Sequence, residues 1–171
     1  IVDHLKIFRN RPDPRFEHRI HEQILPAIRR AGGQVAFTDL HVVHSGSRQT
    51  PETRQRKLER DFRILQQDLE CCPDHPFVLF NLGMTHCDAG NNEEAVHYLR
   101  RCIAVSQPTE SHVRKAYGLL VGVLGQTGDV SQTTRYCEEG LELFPDDKEL
   151  LFRQAMLQHD AGEFDKAAET Y

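Results

Sequence analysis

Residues 76–108 read PFVLFNLGMTHCDAGNNEEAVHYLRRCIAVSQP, and the spacing of their apolar positions decides the fold. Leu79, Leu82, Gly83 and His86 fall at i, i+3, i+4 and i+7, and Ala95, Leu99, Cys102 and Ile103 form a second stripe of helical period after a break. The break is Ala89-Gly90-Asn91-Asn92. Gly90 is expected to end the first helix with positive φ and Asn92 to cap the second, where Glu93 and Glu94 suit the positive end of the dipole. The stretch therefore predicts two short antiparallel helices.

The pattern recurs. Gly90, Gly128 and Gly162 stand 38 and then 34 residues apart. A helix–turn–helix of this length, with Leu-Gly in the first helix, Ala in the second and Pro at the end, resembles the tetratricopeptide repeat (TPR). The first copy, 76–108, carries NLG, AG, EEA and Pro108. The second, 114–147, keeps Tyr117, Leu120, Leu124, Gly128 and Pro145, with Val121 in place of the usual small residue and Thr133 in place of Ala. The third, 148–171, keeps Leu151, Ala155, Gly162, Ala167 and Tyr171, has Gln154 at an apolar position, and stops inside its second helix. The resemblance implies a mainly α fold: a TPR-like α-α superhelix of about 2.5 repeats.

The chain has 39% hydrophobic and 27% charged residues without a long biased run, a composition that folds rather than stays disordered. No apolar segment approaches the ~20 residues of a membrane span, so no transmembrane segment is expected. Beginning at Ile1 rather than Met and ending at Tyr171, the chain reads as a piece of a longer one. Five cysteines, Cys71, Cys72, Cys87, Cys102 and Cys137, form an odd set without a C-x-x-C pair and read as reduced, as in a cytoplasmic protein, with Cys87, Cys102 and Cys137 where helix positions pack. Lys and Arg outnumber Asp and Glu 13 to 11 up to Asp74 and trail 8 to 15 beyond it. An acidic repeat surface argues against nucleic acid as a partner.

Residues 1–49 read differently. His4–Phe8, Arg15–Ile20 and Gln34–Val43 alternate or are β-rich and predict short strands, with Arg11-Pro12-Asp13-Pro14 as a turn; Gln23–Ala31 predicts a helix stopped by Gly32-Gly33. Residues 50–74 form a connecting helix: Thr50 as cap, Pro51 in the first turn, Leu58, Phe62, Leu65 and Leu69 as a stripe that docks on the first repeat, and Pro73 beyond its end. Its Arg54, Arg56, Lys57, Arg60 and Arg63 read as a solvated face. Residues 75–171 are the repeats.

The order LKIFRN, RFEHRIHEQI, a helix ending RRAGG, HVVHSG, then RQRKLERDFRIL running into repeats resembles the C-terminal end of family 2 glycosyltransferases of the GT-A fold that carry TPRs. The resemblance makes 1–49 a small β-rich remnant of a truncated α/β catalytic domain. By position it implies Glu22 as the base that deprotonates an acceptor hydroxyl, and His44 as a ligand of a divalent metal (Mn or Mg) holding the nucleotide diphosphate. The nucleotide-binding half and a D-x-D pair are absent from this sequence, so sugar nucleotide and metal belong to a full-length parent only; the piece itself is expected to carry no cofactor and to catalyse nothing. An H-E-x-x-H zinc site is excluded, since Leu25 stands where the second His is needed.

Stacked repeats present their first helices on the inner face of the superhelix. Projecting the repeat spacing places Phe77, Phe80, Asn81, Met84, Lys115, Leu119, Phe152, Arg153 and Met156 there, a mostly apolar set that suits a hydrophobic protein segment or peptide better than an acidic tail. Two functions follow: a glycosyltransferase fragment whose repeats recruit or position a protein, or a stand-alone TPR adaptor whose first residues only cap it.

Overall fold

The structure is a computed structural model, and it describes residues 7–20, 22–36, 38–39 and 50–171. The chain forms two compact units, Ile1–Lys57 and Leu58–Tyr171.

In the first unit the described residues contain one short helix, α1 (Leu25–Arg30), and one isolated antiparallel bridge between Glu17 and Gln23. The expected strand over Arg15–Ile20 is not formed. His18 takes φ 67° and turns the chain so that Glu17 and Gln23 exchange both backbone bonds, at 2.8 and 2.9 Å. A strand needs a neighbour for its amides and a face to bury; here Ile7, Phe8, Phe16 and Val35 are all exposed. Residues 34–36 and 38–39 are likewise not strand, and the rest of the Gln34–Val43 run and His4–Lys6 lie outside the described residues. The helix starts two residues later than expected because Gln23 belongs to the bridge. Pro26 sits in its first turn, Gly32 ends it at φ 75°, and Arg30 pairs with Glu17.

The long helix α2 (Pro51–Cys71) runs from one unit into the other. The Thr50 hydroxyl accepts from the Thr53 amide at 3.3 Å, as an N-cap should, and Pro51 opens the first turn. Its five basic side chains are exposed. Leu65 is buried, Leu69 packs on the first repeat's core, and the Phe62 ring lies 4.6 Å from that of His86. The expected docking of this stripe is therefore present.

Six helices make three pairs: α3 (Pro76–Ala89) with α4 (Asn92–Val105), α5 (Val113–Thr127) with α6 (Val130–Leu143), and α7 (Lys148–Asp160) with α8 (Phe164–Thr170). Each pair turns on a left-handed glycine, Gly90, Gly128 or Gly162, at φ 77–79°, a conformation that costs a side chain about 1–2 kcal/mol. The cap of α4 is Asn91 rather than Asn92, and its side chain makes no capping bond. Asp147 caps α7: its carboxylate accepts from the amides of Glu149 (3.0 Å) and Leu150 (2.9 Å) and pairs with Arg114.

Two core clusters run through the array. The first joins Leu79, Phe80, Leu99, Cys102, Ala116, Leu120 and Leu124; the second joins Val113, Tyr117, Val121, Cys137 and Leu150. Each uses residues of successive repeats, so a repeat seals its core with help from its neighbour. The fold is a TPR-like α-helical superhelix. No helix among the described residues is long and apolar enough to cross a membrane.

Candidate protein-binding face

The first helices of the repeats form an unbroken row. Lys115 Nζ of α5 reaches Met84 Sδ of α3 at 3.7 Å. From α7, the Glu149 carboxylate and the Arg153 guanidinium lie over Gly118 and Gly122 of α5, 3.2 and 3.4 Å from where a Cβ would stand. Small residues on α5 thus let α7 side chains rest on its backbone, and the face continues across the junction.

The nine residues placed on this face by repeat spacing differ in availability. Phe152 is 50% and Met156 39% exposed, one helical turn apart on α7, and Lys115 is also exposed. Phe77, Met84, Leu119 and Arg153 are half-buried, whereas Phe80 (5%) and Asn81 (2%) are buried. Phe77 and Phe80 stack at 6.2 Å. The Asn81 Oδ1 and Arg153 Nε are buried without a hydrogen-bond partner, and a polar group in that condition is one a ligand can stabilise. The ring of Phe152 meets Tyr171 at 5.8 Å. The exposed apolar surface of this face is therefore concentrated on the third repeat, with the cation Arg153 on the same helix.

Repeat spacing places Gly122 on the open face of α5, but did not point to Gly118, Glu149 or His112. The glycines stand at i and i+4 on α5, a sequence signal of a small-residue stripe; that α7 side chains cover them depends on how the repeats stack. His112 is buried against Phe77 (5.9 Å) and Phe80 (5.5 Å), in T-shaped and tilted contact.

Glu22 is an exposed residue of the turn closed by the Glu17–Gln23 bridge, three positions before the first residue of α1. His44 lies outside the described residues. Among the described residues no group of three or more His, Cys, Asp or Glu side chains could hold a metal ion. All five cysteines are free, Cys71 and Cys72 exposed. Burial pushes the thiols of Cys87, Cys102 and Cys137 up to about 11, so these three stay protonated and unreactive near neutrality.

Comparison with known proteins agrees with this architecture. The tetratricopeptide repeat family model matches residues 81–107. Among solved structures, that of MamA is similar with a TM-score of 0.60 and 19% identity, over 72% of this chain and 71% of that one. YrrB, described as a TPR protein with an unusual peptide-binding site, is similar with a TM-score of 0.58 and 19% identity; the match covers 68% of this chain and 58% of that one. At such identity the likeness defines the fold. No curated protein matches the chain.

Proposed function

We propose that residues 75–171 are a protein-interaction module that takes an apolar peptide or protein segment along the row of first helices. The observation that carries the reading is the exposure of Phe152 and Met156 one turn apart on α7, in the row of first helices that also carries the half-buried Leu119, Met84 and Phe77. Apolar side chains held out on a rigid helix are anchors for association, because burying each contributes roughly 1.5–3 kcal/mol. That YrrB is described as having a peptide-binding site supports the same use of the fold.

The test is selection of peptides from a random library on the chain, followed by titration of those enriched. Peptides rich in Leu, Phe or Ile are expected, and Phe152→Ser with Met156→Ser should weaken them at least about tenfold, the effect of ~1.4 kcal/mol. Equal binding by the double variant would move the site elsewhere.

The family and structure matches support the repeats alone. A transferase parent, with Glu22 as base and His44 on its metal, rests on the sequence resemblance of residues 1–49, and the adaptor reading requires neither residue. In the longer protein, loss of sugar transfer in Glu22→Gln with donor binding retained is the expected result of the transferase reading. Unaltered transfer would remove Glu22 from it.

A further inference from the structure

His112 stands at the head of α5, between the first and second repeats, with only 8% of its surface exposed. Phe77 and Phe80 of α3 contact its ring. On the α4 side its Nε2 lies 3.0 Å from the Ser106 hydroxyl, which itself donates to the Cys102 carbonyl at 2.7 Å. The hydroxyl has one proton and it is committed to that carbonyl, so the imidazole must be the donor at Nε2. The neutral ring therefore carries its proton on Nε2 and leaves Nδ1 bare. A second proton on Nδ1 places a full charge in a wedge of two phenyl rings, at a helix N-terminus whose dipole also opposes it.

The charged groups around the ring do not compensate. Glu110, in the loop before α5, favours the imidazolium, but its carboxylate holds the Gln107 amide at 2.7 Å. His75, at the head of α3, opposes a second positive charge, and its own Nδ1 accepts from the Phe77 amide at 3.3 Å. Burial first, with His75 adding to it, holds His112 below its ordinary value of 6.5. The sign follows: with the folded value depressed, the stabilisation from a neutral His112 is complete above the ordinary value. It declines as the pH falls from there through the folded value and levels off below it.

We propose that His112 is a proton-operated latch between the first two repeats: neutral, it ties Ser106 at the end of α4 to Phe77 and Phe80 of α3, and protonated, it leaves that wedge and reshapes the Phe77 end of the face. Its bearing on partner binding rests on the function proposed above; the latch itself does not.

The experiment is an NMR titration of the full chain from about pH 8 to about pH 5, the window in which histidine changes charge, with melting temperatures over the same range. The His112 ring signal should titrate with a midpoint below ~6.5, and the ring signals of Phe77 and Phe80 should move at that same midpoint. The melting temperature should fall on acidification. His112→Phe should reduce the fall, leaving the part due to His86, which burial also holds below its ordinary value, because the phenyl ring fills the wedge and leaves Ser106 bonded to Cys102. His75→Asn, which keeps a capping side chain, should retain most of the fall. A His112 midpoint at or above the ordinary value, silent Phe77 and Phe80 rings, or an undiminished fall in His112→Phe would each overturn the latch. Should His112→Phe not fold, the titration of the unaltered chain decides alone. None of these readouts uses a partner, so failure of the latch and failure of peptide binding are separate results.

Discussion

The first and second repeats solve the same packing problem with opposite choices of residue. In the first, Gly83 on α3 lets Leu99 of α4 approach so closely that a Cβ on Gly83 would stand 2.6 Å from Leu99 Cγ. In the second, the corresponding positions are Val121 on α5 and Cys137 on α6, both fully buried in one cluster. Large and small have changed sides. The close approach in the second repeat also moves to Gly140 on α6, where a Cβ would meet Leu150 at 2.9 Å and Tyr117 at 3.2 Å. The remaining departure is Thr133, which occupies the place of Ala95. It is buried, and its hydroxyl donates to the Asp129 carbonyl at 2.7 Å, so the polar atom is satisfied within its own helix. What looks in sequence like a decayed copy is a second, internally consistent core: the sum of side-chain volume across the helix pair is constrained, not the residue at each place.

The largest expected effect comes from breaking the first solution. Gly83→Leu forces Leu99 and α4 outward and should cost about 1–3 kcal/mol or more, read from urea unfolding; an unchanged midpoint would mean that the helices are not in close contact there. A sharper form transplants the second repeat into the first. Gly83→Val alone should destabilise, and adding Leu99→Cys should recover part of the loss, with a coupling of about 0.5–3 kcal/mol in a double-mutant cycle. Strict additivity would refute the exchange of volume between helices.

Next in size is the cap. Asp147 accepts two amide bonds at α7, while Asn91 makes none at α4. Asp147→Ala should therefore cost about 0.5–2 kcal/mol and Asn91→Ala much less. Burial alone would raise the Asp147 carboxyl, but the Leu150 amide, the Arg114 guanidinium and the Glu149 amide together hold it below its ordinary value of 3.8. Its contribution is present above that value and is lost as the pH falls through the lower folded value. The difference in stability between the chain and Asp147→Ala should accordingly narrow on strong acidification, and a pH-independent difference would count against the carboxylate as the cause.

The smallest effect separates the open face of α5 from the closely packed face of α6. Gly122→Ala places a methyl group 3.4 Å from Arg153 Nη2, the far end of a flexible side chain, and gains up to about 1 kcal/mol of helix propensity. It should be neutral or stabilising in the same unfolding assay, whereas Gly140→Ala should destabilise. Were the two ranked in reverse, the packing of the second repeat would differ from that described.

The sequence by itself determined the periodic part of this protein. Gly90, Gly128 and Gly162 mark the turns because only glycine enters left-handed backbone without strain, and the i, i+4 stripes set which helix faces are buried. Thr50-Pro51 and Pro73 bracket the long helix for equally local reasons. Tertiary structure decided what depends on partners far along the chain. Arg15–Ile20 alternates as a strand should, yet among the described residues it makes only the Glu17–Gln23 bridge, to which His18 turns it back. Phe80 and Asn81 have the spacing of face residues, but both are buried, Phe80 in the cluster it shares with Ala116 and Leu120 of the second repeat. His112 carries no motif at all; its chemistry arises only where Phe77, Phe80 and Ser106 close around it. Periodicity is written into short windows of sequence, while burial and electrostatic environment are properties of helices that meet.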